Sequence, residues 1–174
     1  MKALKLLIAL CLALFASCAD NTNPLNNKSN EPNQLVEIKI TVVLPDGWNP
    51  VENSVLEHQY MKGTASFMIK NESMLDGKNL DDAVIDAKTN IKKYFDGTDF
   101  SDTESIKVDG YDAKSITYTY LVAAGGMTLK MKMQGVYTMV SNKCYLISFG
   151  DMESNFDNLS ADIESILKGI KFIT

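Results

Sequence analysis

The sequence predicts an α+β domain, an antiparallel β-sheet with helices packed on it, and three observations carry that expectation. Runs in which apolar and polar residues alternate recur with Gly- or Asn-containing turns between them, the signature of consecutive hairpins. Two other segments, near residues 80–95 and 155–168, repeat apolar residues every three or four positions. Read in order, the chain gives strands, a helix, a longer run of strands, a second helix and a closing strand, which favours hairpins with helices laid on them over a doubly wound parallel sheet.

The first strand is expected at Ile38, Ile40, Val42 and Leu44, alternating with Glu37, Lys39, Thr41 and Val43 and stopped by Pro45-Asp46-Gly47 before Trp48. Strands at about 53–61 and 63–70 follow. Leu80, Val84, Ala87, Ile91 and Phe95 then fall at helical spacing, with Asn79 as cap, Asp81 and Asp82 in the first turn, Lys92 and Lys93 in the last, and Gly97 beyond. That is the charge order and the exit that a helix favours. Asp109-Gly110 marks a hairpin inside 106–122. Gly125-Gly126 turns the chain into a strand where Met127, Leu129, Met131 and Met133 alternate with Thr128, Lys130, Lys132 and Gln134. It runs to Val140, turns at Ser141-Asn142 and returns through Cys144 to Phe149. The second helix, 155–168, is expected to be continuous, opened by Ser154 and Asp157 in capping-box spacing and ended by Gly169 before a strand at 170–173.

The chain begins with a different kind of segment. Lys2 and Lys5 precede an unbroken apolar run from Leu6 to Phe15, too short for a bilayer span of about 20 residues and typical of a secretory signal. Ala16 and Ser17 then lead into Cys18, and this resembles a bacterial lipobox, although the position three before the cysteine is Phe15 rather than an aliphatic residue. The resemblance implies cleavage after residue 17 and acylation of Cys18, with buried acyl methylenes contributing about 0.8 kcal/mol each to membrane anchoring. Ala19, not aspartate, follows the cysteine, which points to the outer membrane of an envelope that has one. Residues 18–34 are Asn- and Pro-rich with Leu25 as their one large apolar residue, so they read as a disordered tether. The folded domain is expected at 35–174, near the commonest single-domain size.

Composition removes several functions. Every cation is lysine, and the formal net charge is −5, so guanidinium capture of phosphate is absent and no basic footprint for nucleic acid stands out. His58 is the only histidine, which excludes a multi-histidine zinc centre within one chain. Cys144 would remain as the one free thiol and, in a strand-like run, is expected to act as a buried hydrophobe rather than a nucleophile. No glycine-rich phosphate loop is present. Asp96, Asp99, Asp102 and Glu104 form an acidic stretch without the ligand spacing of a calcium loop, and Asp81-Asp82 reads first as a helix start.

The methionines offer a sharper chemistry. Met131-Lys132-Met133, with Met127 on the same strand face, resembles the M-x-M spacing of thioether copper(I) sites in envelope proteins, to which His58 would add a nitrogen. The same alternation is what a core-facing strand requires, and core is the expected role. Trp48, Tyr60, Tyr111, Tyr118, Tyr120, Tyr137 and Tyr145 would line a groove or, as strand spacing favours, make cross-strand pairs.

The Pro45-to-Trp48 turn resembles the P-x-x-W opening of Mog1/PsbP-like proteins, a group that includes small bacterial lipoproteins. Residues 108–113, VDGYDA, are similar to that group's v-x-G-x-x-A hairpin, and the long hairpin 127–149, helix and Phe-containing terminal strand complete the likeness. The resemblance implies an α/β/α sandwich around an antiparallel sheet, in a family of mostly binding and assembly factors, and it brings no catalytic motif. The expectation is therefore a lipid-anchored envelope protein, not an enzyme and without cofactor, acting through a partner protein. A small-ligand or metal carrier using the Met strand or the acidic loop is the alternative.

Overall fold

The computed structural model describes residues 38–124 and 126–174, so the expectations for the signal, Cys18 and the tether lie outside the described residues. Among the described residues ten strands are seen: β1 (Lys39–Thr41), β2 (Asn49–Pro50), β3 (His58–Lys62), β4 (Ala65–Asn71), β5 (Asp99–Phe100), β6 (Glu104–Val108), β7 (Tyr111–Ala124), β8 (Met127–Val140), β9 (Lys143–Met152) and β10 (Lys171–Ile173). Helix α1 covers Leu80–Tyr94, and α2 (Glu153–Phe156) and α3 (Ser160–Gly169) lie between β9 and β10.

Every strand pair is antiparallel. The main sheet runs β2-β3-β4-β9-β8-β7-β5, with β6 pairing further along β7, while β1 and β10 form a separate two-stranded ribbon. This is the α+β class that the sequence predicts. The two tight hairpins form because their turn residues accept positive φ: Asp109 and Gly110 lie at +50° and +84°, Ser141 and Asn142 at +49° and +64°. Paired positive φ angles twist a two-residue turn in the same sense as the strands it joins.

The pleat sends alternate residues to opposite faces. On one face Phe67, Ile69, Ile147, Phe149 and Val136 meet Trp48, the α2–α3 segment through Phe156, Ile163 and Ile166, and the ribbon through Ile40 and Phe172. Phe67 and Phe149 are fully buried and stack at 5.1 Å. Each such ring contributes about 1.5–3 kcal/mol by leaving water. Helix α1 packs on the other face against β7 and β8, burying Ala83, Val84, Ala87 and Ile91.

Helix α1 starts where its cap predicts, the Asn79 side-chain oxygen accepting the Asp82 N–H at 2.8 Å. Three expectations need correction. The first strand is short and joins β10 rather than the sheet, because Val43 N–H donates to the Gly169 carbonyl at 3.1 Å and draws the chain toward α3. A Cβ on Gly169 would stand 2.7 Å from the Val43 carbonyl oxygen, so glycine is required there by contact as well as by helix termination. Residues 53–57 are turn, with Asn53 at φ +58° and Ser54 Oγ accepting the Leu56 N–H, so β3 begins only at His58. The second helix is broken by a 3-10 turn at Asp157–Leu159; Ser154 makes no capping bond, its hydroxyl turning to Asn155, and Ser160 Oγ instead donates to the Asp157 carbonyl.

Candidate functional site

The second face differs in chemistry from the first. The apolar core under α2, α3 and the ribbon contains no methionine. On the other face, register places five of them on β3, β4, β8 and β9 near Gly150 and Ser66. Met133 of β8 is opposite Gly150 of β9, Gly150 is opposite Ser66 of β4, and Ser66 is opposite Met61 of β3. Met131 and Met152, themselves paired, lie two residues along β8 and β9, and Met68 lies two residues beyond Ser66 on β4. Paired positions are about 5 Å apart and successive same-face positions about 7 Å. Met61, Met68, Met131, Met133 and Met152 therefore share one face of the sheet, spread over β3, β4, β8 and β9 on either side of Gly150 and Ser66.

The absent side chain at Gly150 is what admits the Met133 side chain. A Cβ there would stand 2.1 Å from the Met133 sulfur, so Met133 lies across β9 toward Ser66, whose hydroxyl donates to the Gly150 carbonyl at 3.2 Å. Met68, Met131 and Met133 are 1%, 5% and 3% exposed. Tyr118 and Tyr120 are the β7 partners of Met133 and Met131 and border the methionines on that side. They pack in turn on Phe100 and on Phe95, with centroids 5.5 and 4.4 Å apart. Burial raises the Tyr118 and Tyr137 hydroxyls well above their ordinary pKa, and the nearby Glu72 carboxylate adds to the rise for both.

The structure separates the remaining expected residues. His58 pairs with Ile69 and so belongs to the opposite, packed face, where its ring stacks on Tyr60. It cannot add a nitrogen to the thioethers, because the sheet stands between them. Its Nδ1 is 3.4 Å from the Tyr60 hydroxyl, and its buried Nε2 has no hydrogen-bond partner among the described residues. Met127 shares the face of Met131 by alternation but sits at the open tip of the β7–β8 hairpin and is 63% exposed, so it lies outside the buried core. Met61, Met68 and Met152 had no signal in the sequence as partners of Met131 and Met133, since the register that joins four strands is a long-range property.

The aromatic residues divide likewise. Trp48, Tyr60, Tyr111 and Tyr145 belong to the packed face, Tyr111 and Tyr145 closing on Phe172, while Tyr118 and Tyr120 border the methionines. The Cys144 thiol is buried and pushed up to about 12, first by desolvation and then by Glu72 and Asp76, which leaves it protonated and inert as a nucleophile at neutral pH. Asp99, Asp102 and Glu104 are exposed, and among the described residues no three His, Cys, Asp or Glu side chains converge on a metal position. No described helix is long and apolar enough to cross a membrane.

No family model and no curated protein matches the sequence. Solved structures do match the fold. LpqN, involved in cell envelope biogenesis of Mycobacterium tuberculosis, superposes with a TM-score of 0.55 at 12% identity over 79% of this chain and 85% of LpqN. The Saccharomyces cerevisiae Ran-binding protein Mog1p gives 0.54 at 11% identity over 76% and 89%. The cyanobacterial PsbP of Synechocystis gives 0.50 at 9% identity over 84% and 98%. At these identities the likeness is one of fold. The domain of this chain has the Mog1/PsbP-like fold.

Proposed function

We propose that this chain is a cell-envelope lipoprotein, anchored through acyl chains on Cys18, whose domain works without catalysis as a binding or assembly module for a partner protein. The observation that carries the reading is the fold, shared with a Ran-binding protein and with a protein of envelope biogenesis. The signal, the lipobox-like Cys18 and the Asn-rich tether support the location, with the outer membrane favoured by Ala19. The one free thiol among the described residues is buried and held protonated, which argues against covalent catalysis.

Two measurements test it. Replacing Cys18 by Ser should release the protein from membranes and change its mobility; continued membrane partition with unchanged mobility would refute the anchor. Crosslinking in intact membranes should then trap the wild-type chain against one protein at constant stoichiometry. A chain that traps none, and that carries a stoichiometric small molecule in native mass spectrometry, would instead be a carrier.

A further inference from the structure

We infer that the arm formed by the far ends of β7 and β8 is a self-association edge, which takes a second copy of this chain by strand addition. The contact goes beyond the partner-binding reading and needs neither the anchor nor the partner. The first ground is where the sheet stops. Strand β9 pairs with β8 from Met131 onward, and β5 leaves β7 after Thr119. Past those points residues 122–124 and 127–130 pair only with each other among the described residues. Two strands alone are marginal in water, whereas three or more with an apolar face hold together.

The second ground is what the arm exposes. Leu121 on one face and Met127 on the other are 40% and 63% exposed, and Tyr94, which continues the sheet-facing stripe of Ala87 and Ile91, is 64% exposed. The exit of α1 keeps these together, because the Leu121 N–H donates to the Asp96 carbonyl at 3.1 Å and Phe95 packs on Tyr120 at 4.4 Å. Natural edges are guarded by proline, by a bulge or by an outlying charge. Along residues 127–130 there is no proline and the ladder to β7 has no bulge, while Lys130 is already held by Glu153 at 2.7 Å.

The third ground is register, and it selects a second copy as the occupant. Two β8 edges meet antiparallel about a two-fold axis normal to the sheet, and the pleat then lets only same-face residues stand opposite. A centre at Leu129 would set Met127 against Met131, whose edge β9 already holds. A centre at Thr128 uses the free edge in full. It sets Met127 opposite Leu129 of the second copy, Thr128 opposite Thr128 and Lys130 opposite Gly126, so apolar meets apolar and the two ammonium groups stay apart. The outcome is one four-stranded sheet, β7-β8-β8-β7, across two chains. The outer edge of β7 offers less, since Asp96 occupies it at Leu121.

Four residues a side bury well under the roughly 1,200 Å² of a lasting dimer, so a covalent trap at high concentration is the suitable readout. The test is disulfide trapping of the purified full chain under mild oxidation, with Thr128→Cys, Lys130→Cys and Ala123→Cys beside wild type. Opposed residues of an antiparallel pair have Cα atoms about 4.5–5.5 Å apart, within reach of a disulfide. The register separates the two copies of residue 130 by about 14 Å along the strand, and those of residue 123 by three strand spacings, again about 14 Å. Thr128→Cys should therefore give a species of twice the chain mass at least about tenfold faster than either control. Adding Met127→Lys should slow it to the rate of the controls. Wild type, whose native cysteines are common to all variants, sets the baseline. Equal rates at 123, 128 and 130, no trapping above wild type, or trapping indifferent to Met127→Lys would each overturn the edge. Should Thr128→Cys not fold, an equal mixture of Met127→Cys and Leu129→Cys chains, which the register sets opposite each other, decides by the same comparison.

Discussion

The carboxylate of Asp109, in the turn between β6 and β7, accepts the backbone N–H of Phe172 in β10 at 2.8 Å across 63 residues of sequence. Its other oxygen takes the Lys171 ammonium at 2.7 Å. One side chain thus fastens the β1–β10 ribbon to the hairpin of the main sheet. The same residue adopts the left-handed conformation that the turn requires, so turn chemistry and ribbon docking are satisfied together.

Acid should loosen that clasp. The Lys171 hydrogen bond first, and the Phe172 N–H second, hold the Asp109 carboxyl below its ordinary value of 3.8. A depressed carboxylate contributes stability that is present above its unfolded pKa and lost as pH falls through the folded one. Asp109→Asn should therefore flatten the fall in stability below pH 3.8 and cost about 1–3 kcal/mol at neutral pH. Urea unfolding of both proteins across pH 2 to 7 measures this, at the resolution of about a unit in pH. Parallel curves would show that the clasp is not a proton-linked contact.

Asp162 of α3 receives two donors on one oxygen, the Trp48 indole N–H at 2.9 Å and the Lys62 ammonium at 2.7 Å. Asp162→Ala leaves a buried indole N–H unpartnered and should cost about 1–3 kcal/mol. Because Trp48 is the only tryptophan, its emission reports the site directly. A red shift should accompany the loss, whereas an unchanged spectrum with lowered stability would place the effect elsewhere.

Gly150→Ala should displace the Met133 side chain and cost about 1–3 kcal/mol through overpacking. Its coupling to Met133 distinguishes that cause from backbone strain. In Gly150→Ala/Met133→Ala the clash partner is gone, so the double variant should be less destabilised than the two single effects combined. Additivity would mean that Gly150 matters for some reason other than the sulfur above it.

The strand β8 should respond to truncation by position. Met131→Ala is expected to cost about 2–5 kcal/mol and Met131→Leu less than about 1.5. Met127→Ala, on the exposed tip, should stay within about 0.5 kcal/mol. Thermal melts of the three variants give the order, and equal costs at 127 and 131 would contradict their difference in burial.

Local chemistry made much of this fold legible before any coordinates. Helix α1 carried its own cap and charge order, although it ends at Tyr94 with Phe95 already extended and Gly97 in the turn beyond, and both tight hairpins announced themselves through residues that tolerate positive φ. The break between α2 and α3 was hidden, because Phe156, Leu159, Ile163 and Ile166 keep a helical rhythm across a turn of tighter winding. At the candidate site, alternation correctly put Met131 and Met133 on one face but could not say where the hairpin leaves the body of the domain, which decided Met127. His58 was offered as a neighbour because proximity across strands is not written in either strand. Only register assigns faces to residues seventy positions apart, and it exchanged His58 for Met61 and Met68.

The ribbon also sets a timetable. Strand β1 opens the domain and its hydrogen-bonded partner is β10, the domain's final strand. A chain made or exported from its N-terminus therefore delivers β1 long before anything exists to receive it. Through most of that passage the leading segment stays extended and threadable, and closure waits for β10 and for the carboxylate of Asp109 that catches it. For a chain that emerges from its N-terminus, a fold that cannot lock early is a delay built from connectivity alone.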